Sequence, residues 1–162
     1  MTKPSDSDQR FEQTITIGAS PAKVFDCFFS PAALRAWWQV ERSVTTPVPF
    51  GVYAIEWRTA VHRDDVLGPL GGIFHGTVVE ARPGRKFAVA ECWWVPPEGN
   101  PLGPMALDVT CAPDGNGCRL RIRQSGYEPS VRWQRYYATA AKAWQSALAA
   151  LKRFAETGRV DG

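Results

Sequence analysis

The chain is organised around Val131–Glu156, which reads VRWQRYYATAAKAWQSALAALKRFAE. This stretch contains no Gly or Pro and is dominated by strong helix formers such as Ala, Leu, Lys and Arg. Apolar residues recur in it at spacings of three or four: Trp133, Tyr137, Ala140, Trp144, Leu148, Leu151 and Ala155. That spacing predicts one amphipathic helix, about 39 Å long at roughly 1.5 Å per residue. Ser130 is the predicted N-cap and Gly158 lies in the predicted C-cap region.

The composition is that of a globular protein. The chain has 162 residues, 44% hydrophobic and 22% charged, and we expect one domain spanning residues 11–158. The net charge of +3 is too small to favour nucleic acid as a partner. No apolar run approaches the ~20 residues of a membrane span, so none is predicted. Residues 1–10 are polar and lack the apolar region of a signal peptide, so we expect a disordered lead and a cytoplasmic location.

Cysteine usage favours free thiols over metal or disulfide chemistry. The four Cys residues are scattered without metal-ligand spacing, and there is no CxxC or HxxxH motif. Cys111 and Cys118 flank a predicted hairpin loop and are expected to lie near each other. In a cytosolic protein such thiols usually stay reduced, so neither a disulfide nor a metal site is predicted.

The chain ahead of the long helix alternates between turns and strands. Phe11–Ile17 alternates apolar and polar residues and predicts a strand. Two short helices follow, each opened by a Ser-Pro pair. About six strands then follow, with His62–Gly72 and Pro96–Pro104 predicted as loops because they are rich in Gly or Pro. Consecutive strands joined by turns predict an antiparallel sheet, and a long helix covering one face gives an α+β architecture.

The order of these pieces resembles that of a known superfamily. The matching segments are SPAKVFDCFFSPAALRAWW, GTVVEARPGRKF, LDVTCAPDGNGCRLRIRQSGY and AKAWQSALAALKRF. In this order and spacing the chain resembles the START-like (SRPBCC, Bet v allergen-like) superfamily, from Phe11 to Phe154. Within it, the chain is most similar to the homologues of the heat-shock protein 90 ATPase activator. These often carry His-x-Gly-Trp where this chain has Ala141–Trp144, with no His.

The resemblance implies a helix-grip fold. In that fold a curved antiparallel sheet of about six to seven strands wraps a long C-terminal helix, and two short helices follow the first strand. A START-like ligand-binding domain of this kind has a deep apolar cavity between the sheet and the helix. The resemblance does not imply a single activity, because the fold serves lipid carriers, polyketide cyclases, hormone receptors and co-chaperones.

Large aromatic side chains are the first candidates for the ligand site. In the helix-grip layout they converge on the space between the sheet and the helix, and the predicted ligand-binding residues among them are Tyr53, Trp57, Trp93, Trp133, Tyr137 and Trp144. Trp37 and Trp38 are candidates for the rim. A cavity of roughly 300–1,000 Å³ lined in this way would bind a flat apolar ligand. The alternative is that the rings fill the core.

Two polar residues are predicted to face the same space. Glu91 shares the strand parity of Phe87 and Val89, and Gln124 shares the parity of Ile122. We expect Glu91 and Gln124 to orient a polar group of the ligand, because a carboxylate buried there would need a partner. The alternative is that Glu91 is solvated near a strand end.

Three functions remain open at the level of sequence. The leading hypothesis is binding of a small hydrophobic ligand, aromatic or lipid-like, without a cofactor. A cyclase or dehydratase would need an acid–base group in the cavity, for which only Glu91 and His75 are candidates, and no catalytic motif is present. A co-chaperone-like module would need a protein-binding surface, and the alternating arginines Arg119, Arg121 and Arg123 are the one candidate. The alternative is that these arginines form a solvated outer sheet face that resists edge-to-edge pairing. A homodimer also stays open.

Overall fold

Within residues 10–158, which the computed structural model describes, a seven-stranded antiparallel sheet packs against three helices. The elements in chain order are β1 (Arg10–Ile17), α1 (Pro21–Asp26), α2 (Pro31–Trp38), β2 (Arg42–Thr45), β3 (Val52–Trp57), β4 (Arg63–Asp64), β5 (Gly68–Pro69), β6 (Gly72–Arg82), β7 (Lys86–Val95), β8 (Leu102–Asp114), β9 (Gly117–Ser125) and α3 (Val131–Thr157). The predicted α+β helix-grip fold is confirmed. Residues 1–9 of the expected lead lie outside the described residues, and Arg10 already belongs to β1.

The sheet has the strand order β1-β9-β8-β7-β6-β3-β2, with every neighbouring pair antiparallel. Two predicted loops are partly strand. The loop predicted over residues 62–72 contains the small β4–β5 hairpin. The loop predicted over 96–104 ends early because β8 already pairs with β7 at Leu102 and Trp94. Pro104 falls at a register shift in that pairing, where the ladder does not need the N–H that proline lacks.

Serine caps position the helices as predicted. Ser20 Oγ accepts a hydrogen bond from the Lys23 N–H, and Ser30 Oγ accepts one from the Ala33 N–H. The long helix α3 starts with the same device, because Ser130 Oγ accepts from the Trp133 N–H at 3.1 Å. It ends at Gly158, whose φ of 72° is the left-handed conformation that glycine adopts without strain.

The core lies between the sheet and the helices. The predicted apolar stripe of α3 is buried at Trp133, Tyr137, Trp144, Leu148, Leu151 and Ala155. The buried face is wider than this stripe, because Tyr136 and Ala147 are buried as well. All four Cys residues are free and buried. No helix within residues 10–158 is both long enough and apolar enough to cross a membrane.

Candidate functional site

A cavity of about 390 Å³ lies between the sheet and α3. Its sheet side is formed by Phe74 of β6, Trp94 of β7 and Gln124 of β9. Its helix side is formed by residues of α3 that include Tyr136 and Trp144. This volume is within the range of pockets that hold small molecules.

The hollow exists because α3 presents small side chains to it. The alanines of α3 that line the cavity are Ala140, Ala143, Ala147 and Ala150. Ala140 lies one helical turn from both Tyr136 and Trp144, so the wall between these two large rings is a single methyl group. A protein interior is normally filled to high density, and short side chains on one wall leave room for a ligand.

The cavity opens towards solvent beside the end of α2. Gln39, Ala143 and Ser146 line it and are exposed. Trp38, half-buried at the same end, contacts Trp57 with ring centroids 5.4 Å apart and Trp144 with centroids 5.0 Å apart. Flat aromatic surfaces therefore surround the entrance and favour contact with another planar ring.

A loop that forms an ion pair with α3 contributes another part of the cavity wall. Leu67, Leu70 and Gly71, in and after the β4–β5 hairpin, line the cavity. The hairpin is held by Asp64, whose side chain is 6% exposed and contacts the Arg135 guanidinium at 2.6 Å. The same carboxylate accepts hydrogen bonds from the backbone N–H groups of Val66 (2.9 Å) and Leu67 (2.8 Å). The hydrogen bond to Arg135, with those to the backbone, lowers the pKa of Asp64 to about 2.

One buried polar cluster faces the cavity, whose other polar wall residues, Gln39, Thr139 and Ser146, are half-buried or exposed. Gln124 is 2% exposed. Its Nε2 donates to Tyr136 Oη at 2.7 Å and to Met105 Sδ at 3.3 Å, while its Oε1 accepts from Trp144 Nε1 at 3.0 Å. Burial raises the pKa of Tyr136 far above its ordinary range, so this hydroxyl stays protonated at neutral pH.

The cavity wall is uncharged. Among the described residues that line it, no side chain is a carboxylate, an imidazole, an amine or a guanidinium. Nor do three or more His, Cys, Asp or Glu side chains gather anywhere in residues 10–158 in a way that could hold a metal ion. Chemically, this arrangement can enclose apolar surface and form neutral hydrogen bonds.

The predicted site residues divide into two groups. Trp57, Gln124 and Trp144 line the cavity. The rim candidates Trp37 and Trp38 line it too, although Trp37 is buried and donates through Nε1 to the Cys27 carbonyl. Whether these residues bind a ligand stays a prediction.

Tyr53, Trp133 and Tyr137 lie away from the cavity wall. The Tyr53 ring contacts Phe29 and Phe87, and its hydroxyl donates to the Phe28 carbonyl at 2.8 Å. Trp133 and Tyr137 stack on each other. The Tyr137 hydroxyl donates to the Gly126 carbonyl. The prediction that these three rings face the cavity was wrong. They fill the core, which was the alternative interpretation of the aromatic residues.

The prediction that Glu91 and Trp93 face the cavity was also wrong. The register between β6 and β7 shifts where Gly76 stands opposite Glu91 and Cys92, which is a β-bulge. The extra residue is Glu91, exposed and with a φ of 53°. Beyond it the parity reverses, so Trp94 faces inward and Trp93 outward, where its ring lies against Gly103.

Sequence reasoning missed Trp94 and Tyr136 as wall residues. The bulge could have been predicted from the sequence, because Gly76 interrupts a strand pattern and such a glycine often marks a bulge. A Cβ at position 76 would come within 2.8 Å of the Ala90 carbonyl oxygen. Tyr136 is adjacent to the predicted Tyr137, and only the rotation of α3 against the sheet distinguishes them. No sequence signal marks Leu67 and Leu70, which lie in a predicted loop.

Solved structures share this fold at low sequence identity. A protein of Chromobacterium violaceum is 22% identical, with 91% of this chain and 97% of that chain covered at a TM-score of 0.67. A protein of Mesorhizobium loti is 19% identical, with 90% and 95% covered and a TM-score of 0.67. The Aha1 dimer of Colwellia psychrerythraea, solved in solution, is 19% identical, with 92% and 97% covered and a TM-score of 0.61. These likenesses show the fold.

The family follows from a sequence comparison that spans nearly the whole chain. No curated protein matches the chain. The family model described as polyketide cyclase/dehydrase and lipid transport matches residues 8–157. With its sheet wrapped on α3, the chain therefore belongs to the polyketide cyclase/dehydrase and lipid transport family and, with it, to the START-like superfamily.

Proposed function

We propose that this protein binds a small, flat, mainly apolar ligand in the cavity between the sheet and α3. The observation that carries the proposal is a hollow of about 390 Å³ with aromatic and alanine walls and one buried polar cluster. The family description, which includes lipid transport, also suggests a hydrophobic ligand. Apolar burial at about 25 cal/mol per Å² would supply the affinity, and the cluster around Gln124 would orient the ligand.

An enzyme of cyclase or dehydratase type is the alternative for the same cavity. Such an enzyme needs a group that exchanges protons near neutral pH beside the substrate. Neither Glu91 nor His75 lines the cavity. The one phenol on the wall, Tyr136, has a pKa raised by burial. These observations favour binding over catalysis.

Finer assignments stay predictions. Membership of the heat-shock protein 90 ATPase activator branch, a co-chaperone role and a cytoplasmic location rest on the sequence resemblance and composition. The arginine strand considered for a protein partner is partly neutralised within the chain, because Arg121 pairs with Glu12 at 2.7 Å.

A calorimetric titration tests the proposal directly. The ligands are two flat neutral probes, 2-acetylnaphthalene and 2-isopropenylnaphthalene, with quenching of tryptophan emission as a second readout. We expect saturable 1:1 binding of at least one probe, because the wall includes the rings of Trp38, Trp57 and Trp144. Native mass spectrometry of freshly purified protein would show whether a small molecule co-purifies. The absence of saturable binding by both probes would refute the proposal.

A further inference from the structure

The indole of Trp144 fixes the orientation of the Gln124 amide. An indole N–H can only donate, so the Gln124 atom 3.0 Å from Trp144 Nε1 has to be the carbonyl oxygen. The amide nitrogen then points the other way, to Tyr136 Oη at 2.7 Å and Met105 Sδ at 3.3 Å. Both N–H groups of Gln124 are thereby used inside the protein.

This orientation leaves the Tyr136 hydroxyl with an unused hydrogen. Because Tyr136 Oη accepts the hydrogen bond from Gln124, its own O–H is available to donate. Within residues 10–158 the Tyr136 hydroxyl forms no hydrogen bond as the donor. Tyr136 lines the cavity and is buried, so a donor without an acceptor there would be costly.

Three other indole donors on the wall are already used. The indole N–H groups of Trp37, Trp57 and Trp94 donate to the backbone carbonyls of Cys27, Trp38 and Gly71, respectively. The Trp38 indole is half-buried at the entrance. Thr139, Gln39 and Ser146 also carry donors on the wall, but Thr139 is half-buried and the other two are exposed. Among the described wall residues, the Tyr136 O–H is therefore the buried donor that has no acceptor in the protein.

The charge of the wall restricts the ligand further. No described residue on the wall is a cation that could pair with an anionic ligand. An ionised carboxylate buried without a counter-charge carries a large desolvation cost, whereas a neutral carbonyl needs one good donor. The wall therefore favours a neutral oxygen acceptor over the carboxylate of a fatty acid.

We propose that the cavity selects neutral ligands with a carbonyl-type acceptor oxygen, and that the Tyr136 hydroxyl donates to this oxygen. The inference rests on the binding function proposed above and names the class of ligand. Tyr136 would touch the ligand. Gln124 is a positioning residue, because it holds Tyr136 with its hydrogen directed away from the amide. Trp144 positions Gln124 and also contributes to the wall.

Matched probes and matched variants test the proposal. 2-Acetylnaphthalene carries a carbonyl, 2-isopropenylnaphthalene has nearly the same shape without an acceptor, and 2-naphthoate is anionic. Tyr136→Phe removes the donor. We expect it to lower the ratio of acetyl to isopropenyl affinity by about three- to tenfold, the range for one hydrogen bond. Tyr137→Phe is the control, because that hydroxyl donates to Gly126 outside the cavity, and it should leave the ratio unchanged.

An infrared measurement on the unmodified protein covers the case in which Tyr136→Phe fails to fold. The carbonyl stretch of bound 2-acetylnaphthalene should lie at a lower frequency than in hexane, because a donated hydrogen bond weakens the C=O bond. In Tyr136→Phe that shift should disappear. A hexane-like frequency in the unmodified protein, or a shift that persists in Tyr136→Phe, would overturn the assignment of the donor.

The outcomes separate this inference from the binding function. If both neutral probes bind and their affinity ratio is the same in Tyr136→Phe, the binding function stands and the inference is overturned. If 2-naphthoate binds as tightly as 2-acetylnaphthalene, selection for neutral ligands is overturned. If neither neutral probe binds, the proposed function is overturned and the inference with it.

Discussion

At the scale of single residues, Gln124 holds the polar part of the site together. Its side chain satisfies the Trp144 N–H and donates to Tyr136, both on α3, from a buried position on β9. The parity of β9 predicted its inward direction correctly, because β9 pairs with both neighbouring strands without a register shift. Its partners were not predictable, since they depend on how α3 is rotated above the sheet.

Gln124→Leu should lower the free energy of unfolding by about 1–3 kcal/mol. The substitution leaves the buried Trp144 N–H without its acceptor, and an unsatisfied buried polar group costs this much. Urea denaturation followed by circular dichroism measures the change. Gln145→Leu, on the exposed face of α3, is the matched control and should stay within about 0.5 kcal/mol. Equal stabilities for the two variants would contradict the structural role of Gln124.

Glu91→Gly should raise the free energy of unfolding by up to about 1 kcal/mol. Glu91 has a φ of 53°, a conformation that a residue with a Cβ adopts at a cost and glycine adopts freely. Ala90→Gly, at the adjacent position without positive φ, should have the opposite sign. Thermal unfolding of both variants checks the pair. Lower stability of Glu91→Gly would mean that residue 91 is not the left-handed residue of the bulge.

At the scale of elements, the alanines of α3 determine how much space the cavity holds. Their position on the helix was predictable from the sequence. The apolar stripe that includes Ala140 does not show, however, whether this side chain packs against the sheet or lines a cavity. Whether a small residue is packed or leaves a hollow depends on the distance between two layers, which is a tertiary property.

Ala140→Leu should abolish most ligand binding while leaving the fold stable. A larger side chain between Tyr136 and Trp144 fills the space that the ligand needs, and we expect at least tenfold weaker binding of 2-acetylnaphthalene. Calorimetric titration measures it. Ala149→Leu, exposed on α3 and away from the cavity, should bind normally. If Ala140→Leu bound the probe as tightly as that control, the ligand would have to lie elsewhere.

Asp64→Asn should loosen the β4–β5 hairpin in a pH-dependent way. The pKa of Asp64 is about 2 in the folded protein and about 3.9 in an unfolded chain. A lowered folded pKa means that the carboxylate stabilises the fold above about pH 4 and loses this contribution as pH falls through 2. Asn keeps an oxygen for the N–H groups of Val66 and Leu67 but loses the ion pair with Arg135.

Measuring the free energy of unfolding from pH 7 down to pH 2 tests whether the contribution of Asp64 falls with pH. The stability difference between the unmodified protein and Asp64→Asn should be largest near pH 7 and shrink steadily as the pH falls towards 2. Glu98→Gln is the control, because the Arg63–Glu98 pair is exposed on both sides and should contribute little. A difference that grew towards low pH would contradict the assigned pKa.

At the scale of the whole molecule, the β2 edge of the sheet bears exposed apolar side chains. β2 ends the strand order, so one side of its backbone is unpaired by the sheet. With β3, β2 forms the β2–β3 hairpin, in which Val44, Val48, Phe50 and Val52 are exposed, with Phe50 at 89%. Exposed apolar groups at a sheet edge favour association.

We expect a homodimer that buries this hairpin. Phe50→Ser should shift the molar mass measured by light scattering after size exclusion from dimer to monomer. Val61→Ser, a site that is 94% exposed but lies outside the hairpin, should leave the mass unchanged. A monomeric mass for the unmodified protein at all concentrations would contradict the prediction.

The amino-acid sequence was sufficient to predict the helices with their serine caps, the strands of the main antiparallel sheet, and the long amphipathic helix that covers it. These features depend on interactions between residues close in the chain, where spacing and capping act directly. Which residues line the cavity depends on how the sheet and α3 pack together. Because Glu91 is an extra residue in β7, Trp94 lines the cavity where Trp93 was predicted. Because of the rotation of α3 about its axis, Tyr136 lines the cavity where Tyr137 was predicted. In the strand, a shift of one residue reverses the face, and in the helix it turns the side chain by about 100°. Neither shift can be read from the local sequence, because it depends on contacts with residues distant in the chain.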